Sequence, residues 1–329
     1  MENKFYRLIK NATKIAIFSH VTPDADALCS SFALKNMIIN NFDDKFVDVF
    51  IDGEIGELYN PILRNEVINP KPYNKYDLSV VLDCPNLTRV GKYSEMAASA
   101  PEIINIDHHE TNEKFGTFNF VSPNVSSTCE LVYLVSEGQK FELTNLIAKE
   151  LYQGIITDTN CFTSKSITPR THKVVSELLK YKFNADAIKQ YYFHNNSPAK
   201  THLLTQALLS MKFYNDGTFT TMKVPNNVYT EIGASFEDTL GIIDNGMNIS
   251  GTEASAILIE RAPQYIHCSL RSKGNVNVGE IAKAFGGGGG KNIAAFQANG
   301  NINEIEQHLV TAIAPKLPKL DNSELEILF

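Results

Sequence analysis

The sequence predicts an α/β fold in two parts: an N-terminal, mainly parallel sheet flanked by helices, then a helical connector and a smaller C-terminal α/β domain. Three observations carry this. Short apolar runs rich in Val and Ile alternate with segments of helical period. The pattern changes after Asp158, and 329 residues are long for one hydrophobic core.

The first runs, taken in order, are "KIAIFSH" (14–20), "KFVDVFID" (45–52), "DLSVVLD" (77–83) and "EIINIDHH" (102–109), each the length of a buried strand. Between the first two, "ALCSSFALKNMIIN" (27–40) spaces Leu28, Phe32 and the Met37–Ile39 group as a helix lying on a sheet. "ELYQGIITDTN" (150–160) reads as an apolar helix that delivers Asp158 at its end. In 168–183, Thr168 and Pro169 stand where a helix cap and first turn belong. A further helix is expected over 197–214, followed by a hairpin turn at Asp216-Gly217 and strands at 254–260 and 266–272. These signals set a first domain over 1–190, a helical connector over 191–214 and a second domain over 215–329.

Hydrophobic residues at 43% and charged residues at 20% are ordinary for a folded protein. A net charge of -7 argues against a protein that grips long duplex nucleic acid, and leaves room for a local basic groove that takes a short anionic ligand. The five cysteines form no C-x-x-C and fit reduced thiols of a cytoplasmic protein. The charged N-terminal stretch holds no signal-peptide core or membrane span, so no membrane partner is expected.

Three of the four strands end in groups that bind metals: His20, Asp24 and Asp26 after the first, Asp83 after the third, and Asp107, His108 and His109 after the fourth. In an open parallel sheet, ligands sit outside the carboxyl ends of the strands, so these groups converge with Asp158 on one edge. Singly, each has a plainer explanation: Asp24 or Asp26 as a helix cap, Asp83 before Pro85 as a turn residue. Together, several carboxylates on one buried edge would repel unless cations neutralised them. Carboxylates and imidazoles without thiolate suit Mn2+ or Mg2+ better than structural zinc, with Co2+ and Fe2+ also compatible. Shared carboxylates would hold two ions ~3.5 to 4 Å apart, the spacing used in phosphoryl hydrolysis. The pattern therefore reads as a two-metal phosphoesterase.

In order, "SHVTPDADA", "VVLDCPNLTRVG", "NIDHHETN" and "GIITDTN" resemble the four motifs of the DHH phosphoesterase family, and "SLRS" with "FGGGGGKNIAAF" (285–296) resembles its DHH-associated C-terminal domain. The likeness is to small two-domain members of the NrnA type, which degrade very short RNA and dephosphorylate 3'-phosphoadenosine 5'-phosphate. It implies an active site in an interdomain cleft holding two Mn2+. His20 and Asp24 would bind one ion and Asp26, His108 and Asp158 the other, with Asp83 bridging. It also implies that His109 faces the scissile phosphate and that Asp107 orients the imidazoles. Arg89 matches an R-x-G pattern of the family as a phosphate contact, though a solvated loop Arg is the plain alternative. "SPNVSSTCE" (122–130) matches a serine-rich family segment and reads best as a helix cap. Homodimers are common among such relatives, which implies one here.

In the second domain, Arg271 and Ser272 are the expected contacts for a terminal phosphate. The run Gly287, Gly288, Gly289 and Gly290 would let backbone approach the nucleotide closely. Where the family usually has a histidine after its glycines, this chain has Gly290, and Lys291 is the residue able to supply the missing charge. A Walker A loop is excluded, because Phe285 occupies its first glycine position and Asn292 its Ser or Thr.

The expected substrates are short RNA oligonucleotides or small adenine nucleotides. Cyclic di-AMP and its linear product pApA stay open, as does a DHH-type pyrophosphatase. A nucleotide-binding regulator with little activity is the rival of another class, motivated by the lost histidine.

Overall fold

Two sheets organise the chain. The computed structural model describes residues 4–64, 66–138 and 141–318; the last part of the expected second domain, 319–329, lies outside the described residues. The chain divides between Asn195 and Asn196 into two compact units.

In chain order the first unit runs α1 (Lys4–Asn11), β1 (Lys14–Phe18), α2 (Ala25–Asn41), β2 (Phe46–Phe50), α3 (Asn60–Leu63), β3 (Leu78–Leu82) and α4 (Ser94–Ala98). It continues with β4 (Glu102–Asp107), β5 (Phe118–Val121), α5 (Thr128–Glu137), α6 (Asn145–Asp158), α7 (Pro169–Leu178) and α8 (Ala185–Phe193). The sheet order is β2-β1-β3-β4-β5, every pair parallel. β3 is buried along its whole length, as a strand covered by helices on both faces must be. One face carries Ile15, Ile17, Val80, Ile104 and Ile106 into a core shared with α1, α2, α5, α6 and α7. The other packs Phe18, Phe50, Val81 and Ile103 with Ala97 of α4.

The four expected strands and the parallel sheet are present. β5 was not anticipated: its four residues are all half-buried, so the apolar signal of a central strand is missing. Ladder pairing with β4 holds it at the edge.

α2 is buried nearly all round through its first ten residues, packed against α5 and α6 as well as the sheet. α7 begins as its sequence predicts. Thr168 is the N-cap, Thr171 closes a capping box with it, and Pro169 occupies the first turn.

The second unit contains α9 (Pro198–Leu209), β6 (Lys212–Tyr214), β7 (Phe219–Val224), α10 (Asn226–Ile232), α11 (Asp244–Met247), β8 (Ala254–Ala262), β9 (Tyr265–Ser272), α12 (Val278–Ala284), β10 (Gly288–Gly289), β11 (Ile293–Asn299) and α13 (Ile302–Ile313). Its mixed sheet has the order β10-β11-β9-β8-β7-β6, with β7 and β8 the parallel pair. The helix expected over 197–214 stops at Leu209, and Lys212–Tyr214 pairs instead with β7 through the expected turn at Asp216-Gly217. Both Asn215 and Asp216 take positive φ there. Local helical period yields to non-local pairing in this stretch. The connecting helix is built into the second unit: Leu203 and Ala207 of α9 are buried with Met222, Val224, Ile257 and Ile259. Among the described residues no helix is long and apolar enough to cross a membrane.

Candidate metal centre

The strand order reverses between β1 and β3, which makes the gap at their carboxyl ends the topological switch point of the sheet. Ser19 Oγ donates to the Leu82 carbonyl across it at 3.3 Å, tying the two strand ends together. The next residue of each strand, His20 and Asp83, faces the other, with Nε2 3.6 Å from Oδ2. The other ring nitrogen of His20, Nδ1, lies 2.9 Å from the Val21 carbonyl, which fixes the ring.

Asp83 leaves β3 at φ 58°, the left-handed region that Asp enters more readily than most residues. Its amide donates to the Ile106 carbonyl at 3.0 Å, so the turn is anchored on β4. β4 ends on Asp107, fully buried, and the two imidazoles follow it directly. His108 Nε2 stands 3.5 Å from Asp83 Oδ1 and 3.8 Å from Asp158 Oδ2. His109 turns elsewhere, its Nδ1 2.7 Å from Asp107 Oδ1.

Asp24 and Asp26 flank the start of α2. Asp24 is the N-cap, accepting the Ala27 amide on Oδ1 at 3.0 Å, so the plain capping role holds for it. Asp26, the second residue of α2, is 1% exposed. Its oxygens accept the amides of Thr128 at 2.7 Å and Cys129 at 3.0 Å, the first N–H groups of α5. Asp158 closes α6. The chain then runs through Asn160, Cys161 and Phe162, all at positive φ; Asn160, at φ 46°, is a residue type that tolerates this left-handed backbone.

Three groups of side chains bring one ligand atom each to within 4.8 Å of the others: His20, Asp24 and Asp83; Asp26, His108 and Asp158; and Asp83, His108 and His109. A cavity of about 350 Å3 is lined by these residues except Asp26, together with Pro85 and the exposed Arg89. The charges also call for a cation. Burial, then Asp83, Asp158 and Asp24, push the Asp26 carboxyl well above the ordinary carboxylate range. Asp158 is pushed up to about 6, first by burial and against the pull of His108. Burial also works against Asp83, but the facing imidazoles of His20, His108 and His109 outweigh it and hold this carboxyl low. Among the described residues no Lys or Arg forms an ion pair with Asp24, Asp26, Asp83 or Asp158. Four carboxylates with imidazole partners and, among the described residues, no Lys or Arg ion pair form a hard-ligand set that fits divalent metal ions.

Three residues at this centre escape a sequence reading. Asn112 donates from Nδ2 to Asp107 Oδ2 at 2.7 Å and to the Cys84 carbonyl at 3.0 Å. Asn105 in turn donates to Asn112 Oδ1 at 2.9 Å, so the two asparagines that bracket "NIDHHETN" close on each other. Gly154 of α6 leaves the room that Asp26 and Cys129 occupy: a Cβ there would stand 2.8 Å from Asp26 Oδ1 and 2.2 Å from Cys129 Sγ. The serine-rich segment does more than cap. Ser127 is the N-cap of α5, but Thr128 donates its hydroxyl to Asp83 Oδ1 at 2.9 Å. The only sequence signal was three consecutive hydroxyl residues where one suffices for a cap.

In the second unit, Arg271 lies on β9 with Nε 3.9 Å from Asp244 Oδ1 and Nη1 donating to the Leu270 carbonyl. Ser272 is buried and its hydroxyl donates to the Val276 carbonyl at 2.7 Å, an internal role instead of an open phosphate contact. The glycines are a built structure. Gly288 and Gly289 pair antiparallel with Ala295 and Ala294, and side chains at Gly287 or Gly289 would strike the backbone of β11. The amides of Gly287 and Gly290 are already donated to Ala282 and Ile293, whereas a Cβ at Gly288 would meet open space. Lys291 is exposed beside this strand, and its carbonyl accepts the Val278 amide.

A parallel sheet with acids and imidazoles gathered at its switch point, followed by a mixed-sheet unit with a glycine strand, defines a two-unit α/β protein with a candidate metal centre. Residues 14–155 match the DHH family N-terminal domain and residues 221–314 the DHHA1 domain. The chain belongs to the DHH family and is a DHH/DHHA1 phosphoesterase. A bifunctional oligoribonuclease and PAP phosphatase NrnA of Mycoplasma genitalium is 28% identical over 287 residues, covering 86% of this chain and 88% of its own. The cyclic-di-AMP phosphodiesterase PdeA of Listeria monocytogenes is 27% identical over 325 residues, 93% of this chain and 48% of its own length. The crystal structure of an exopolyphosphatase-related protein from Bacteroides fragilis matches with a TM-score of 0.82 at 26% identity, covering 94% of this chain and 95% of that one.

Proposed function

We propose that the protein hydrolyses short oligoribonucleotides to mononucleotides and removes the 3'-phosphate of 3'-phosphoadenosine 5'-phosphate, using two Mn2+ ions. His20 and Asp24 would hold one ion and Asp26, His108 and Asp158 the other, with Asp83 as the ligand the two sets would share. The observation that carries this reading is the division of the Asp83 carboxylate: Oδ2 faces His20 at 3.6 Å while Oδ1 faces His108 at 3.5 Å. A carboxylate with one oxygen toward each ligand group is what a shared ligand requires. The ions, when bound, supply Lewis-acid polarisation of the phosphate and of the attacking water.

The chain's own residues orient and discriminate. His109 directs Nδ1 at Asp107, and that partner pulls the imidazole pKa up in spite of burial, favouring the charged ring. A cationic His109 on the cavity wall binds and orients the phosphate as a donor. Arg89 adds a second positive group at the same wall. Arg271 supplies a bidentate contact for a terminal phosphate, and the open backbone at Gly288 with Lys291 nearby takes the place of the missing loop histidine.

The oligoribonuclease relative supports the choice of substrate over most of both chains. The alignment of 93% of this chain with a cyclic-di-AMP phosphodiesterase supports a second reading, in which pApA or cyclic di-AMP is the substrate. A chromatographic time course in Mn2+ separates them, offering 3'-phosphoadenosine 5'-phosphate, pApA, a five-nucleotide RNA, cyclic di-AMP and pyrophosphate singly, with Asp83→Ala as control. Stepwise loss of mononucleotides from the RNA supports the first reading. Turnover of cyclic di-AMP alone replaces it, and full activity in Asp83→Ala sinks the shared-ligand arrangement.

A further inference from the structure

We propose that Thr128 is a positioning residue that sets the rotation of the Asp83 carboxylate, so that each of its oxygens serves a different group of ligands; this rests on the two-ion reading above. Thr128 is fully buried at the first position of α5. Its hydroxyl donates to Asp83 Oδ1 at 2.9 Å, and its amide donates to Asp26 Oδ2 at 2.7 Å. One residue therefore grips a carboxylate from each of two separate ligand groups, the one with His20 and Asp24 and the one with His108 and Asp158.

Helix capping does not explain this hydroxyl. Ser127 is the cap and accepts the Glu130 amide, so the Thr128 side chain has no duty to its own helix. The hydroxyl instead reaches across 45 residues of sequence to Asp83. Asp83 needs such a restraint. Among the described residues no hydrogen bond with good geometry holds its Oδ2, which stands 3.6 Å from His20, and its Oδ1 is 3.5 Å from His108 and 3.7 Å from His109. The Thr128 hydroxyl is the short contact that determines which oxygen points toward the two histidines that follow β4.

The platform beneath Thr128 is itself locked. Glu130, fully buried, accepts the Ser126 amide at 3.0 Å, the Ser126 hydroxyl at 2.6 Å and the Thr171 hydroxyl at 2.9 Å. Arg170 donates from Nε to Glu130 at 3.0 Å and from Nη2 to the Asn124 carbonyl at 2.9 Å, pinning the segment before α5 to the start of α7. A side chain mounted this rigidly can transmit position to a ligand carboxylate.

The test compares the full chain with Thr128→Val, which removes the hydroxyl at nearly constant volume, and Thr128→Ser, which retains it. Each is freed of metal by chelation and titrated with Mn2+ by calorimetry, then assayed for kcat and KM on a five-nucleotide RNA. We expect wild type to bind two ions, and Thr128→Val to lose ~10- to 100-fold in affinity for at least one, with a similar fall in kcat, a KM within about twofold, and rescue by Thr128→Ser. Thr128→Val that binds both ions as wild type does overturns the positioning role alone. Wild type that binds no Mn2+ overturns the two-ion reading. Should Thr128→Val fail to fold, Thr128→Ala removes the same hydroxyl without branching and is judged by the same outcomes.

Discussion

Nδ1 of His109 lies 2.7 Å from Oδ1 of Asp107, while His108, between them in sequence, points instead at Asp83 and Asp158. Adjacent imidazoles at the end of one strand are thereby given different work. Asp107 can hold His109 because Asn112 occupies its second oxygen at 2.7 Å, leaving the carboxylate one free direction. Asp107→Asn is expected to leave both ion sites filled, as read by metal content, and to lower kcat on a short RNA by ~10- to 100-fold through loss of ring orientation. A variant with wild-type kcat would remove Asp107 from the machinery.

Gly154→Ala places a methyl group against Cys129 Sγ and Asp26 Oδ1. Overpacking of this kind costs about 1 to 3 kcal/mol, and here it also displaces a ligand carboxylate. Urea melts should show that loss of stability, and Cys129→Ala combined with Gly154→Ala should recover part of it. If the double variant is no more stable than the single, the clash lies elsewhere.

Glu150 of α6 is buried, with Asn36 Nδ2 donating to both its oxygens at 3.0 and 3.2 Å. Burial pushes its carboxyl up to about 8. An acid whose folded pKa is raised holds its proton more tightly when folded. Its contribution is therefore complete below the unfolded value near 4.5 and is lost as pH rises to about 8. Glu150→Gln keeps an acceptor for Asn36 and cannot ionise. Relative to wild type it should gain on the order of 2 to 3 kcal/mol between about pH 5 and pH 8.5, after allowance for relaxation at the buried site. Stability curves that stay parallel across that range would show that Glu150 is not the titrating group.

Arg271 and Ser272 are neighbours in sequence with different expected phenotypes. Arg271→Ala should raise KM for a short oligonucleotide about tenfold with little change in stability, since its contact with Asp244 is long at 3.9 Å and partly exposed. Ser272→Ala should cost about 1 kcal/mol of stability by leaving the Val276 carbonyl short of a partner, with KM unchanged. A raised KM in Ser272→Ala would restore it as a substrate contact.

Much of the first unit was legible because its signals are local. The apolar runs that became β1, β3 and β4 each end within a few residues of a metal-binding group, and a parallel sheet must bring such ends to one edge. β5 was invisible for the opposite reason: four half-buried residues carry no period, and pairing with β4 makes them a strand. The same competition replaced the end of the expected helix over 197–214 by β6. The serine-rich segment was legible as a cap at Ser127, while the use made of Thr128 was not.

The sequence by itself determined the α/β alternation, the identity of the acids and imidazoles, and the edge of the sheet on which they gather. These follow from side-chain period and from strand ends, which a chain encodes within a few residues. Only the tertiary structure decided which oxygen of Asp83 faces which histidine, that the start of α5 reaches Asp26, and that Gly154 leaves room for the meeting. Those outcomes depend on contacts between residues 45 and 103 positions apart, such as Thr128 with Asp83 and Cys129 with Asp26. They are settled by how closely packed helices and strand ends approach, a distance that no local pattern specifies.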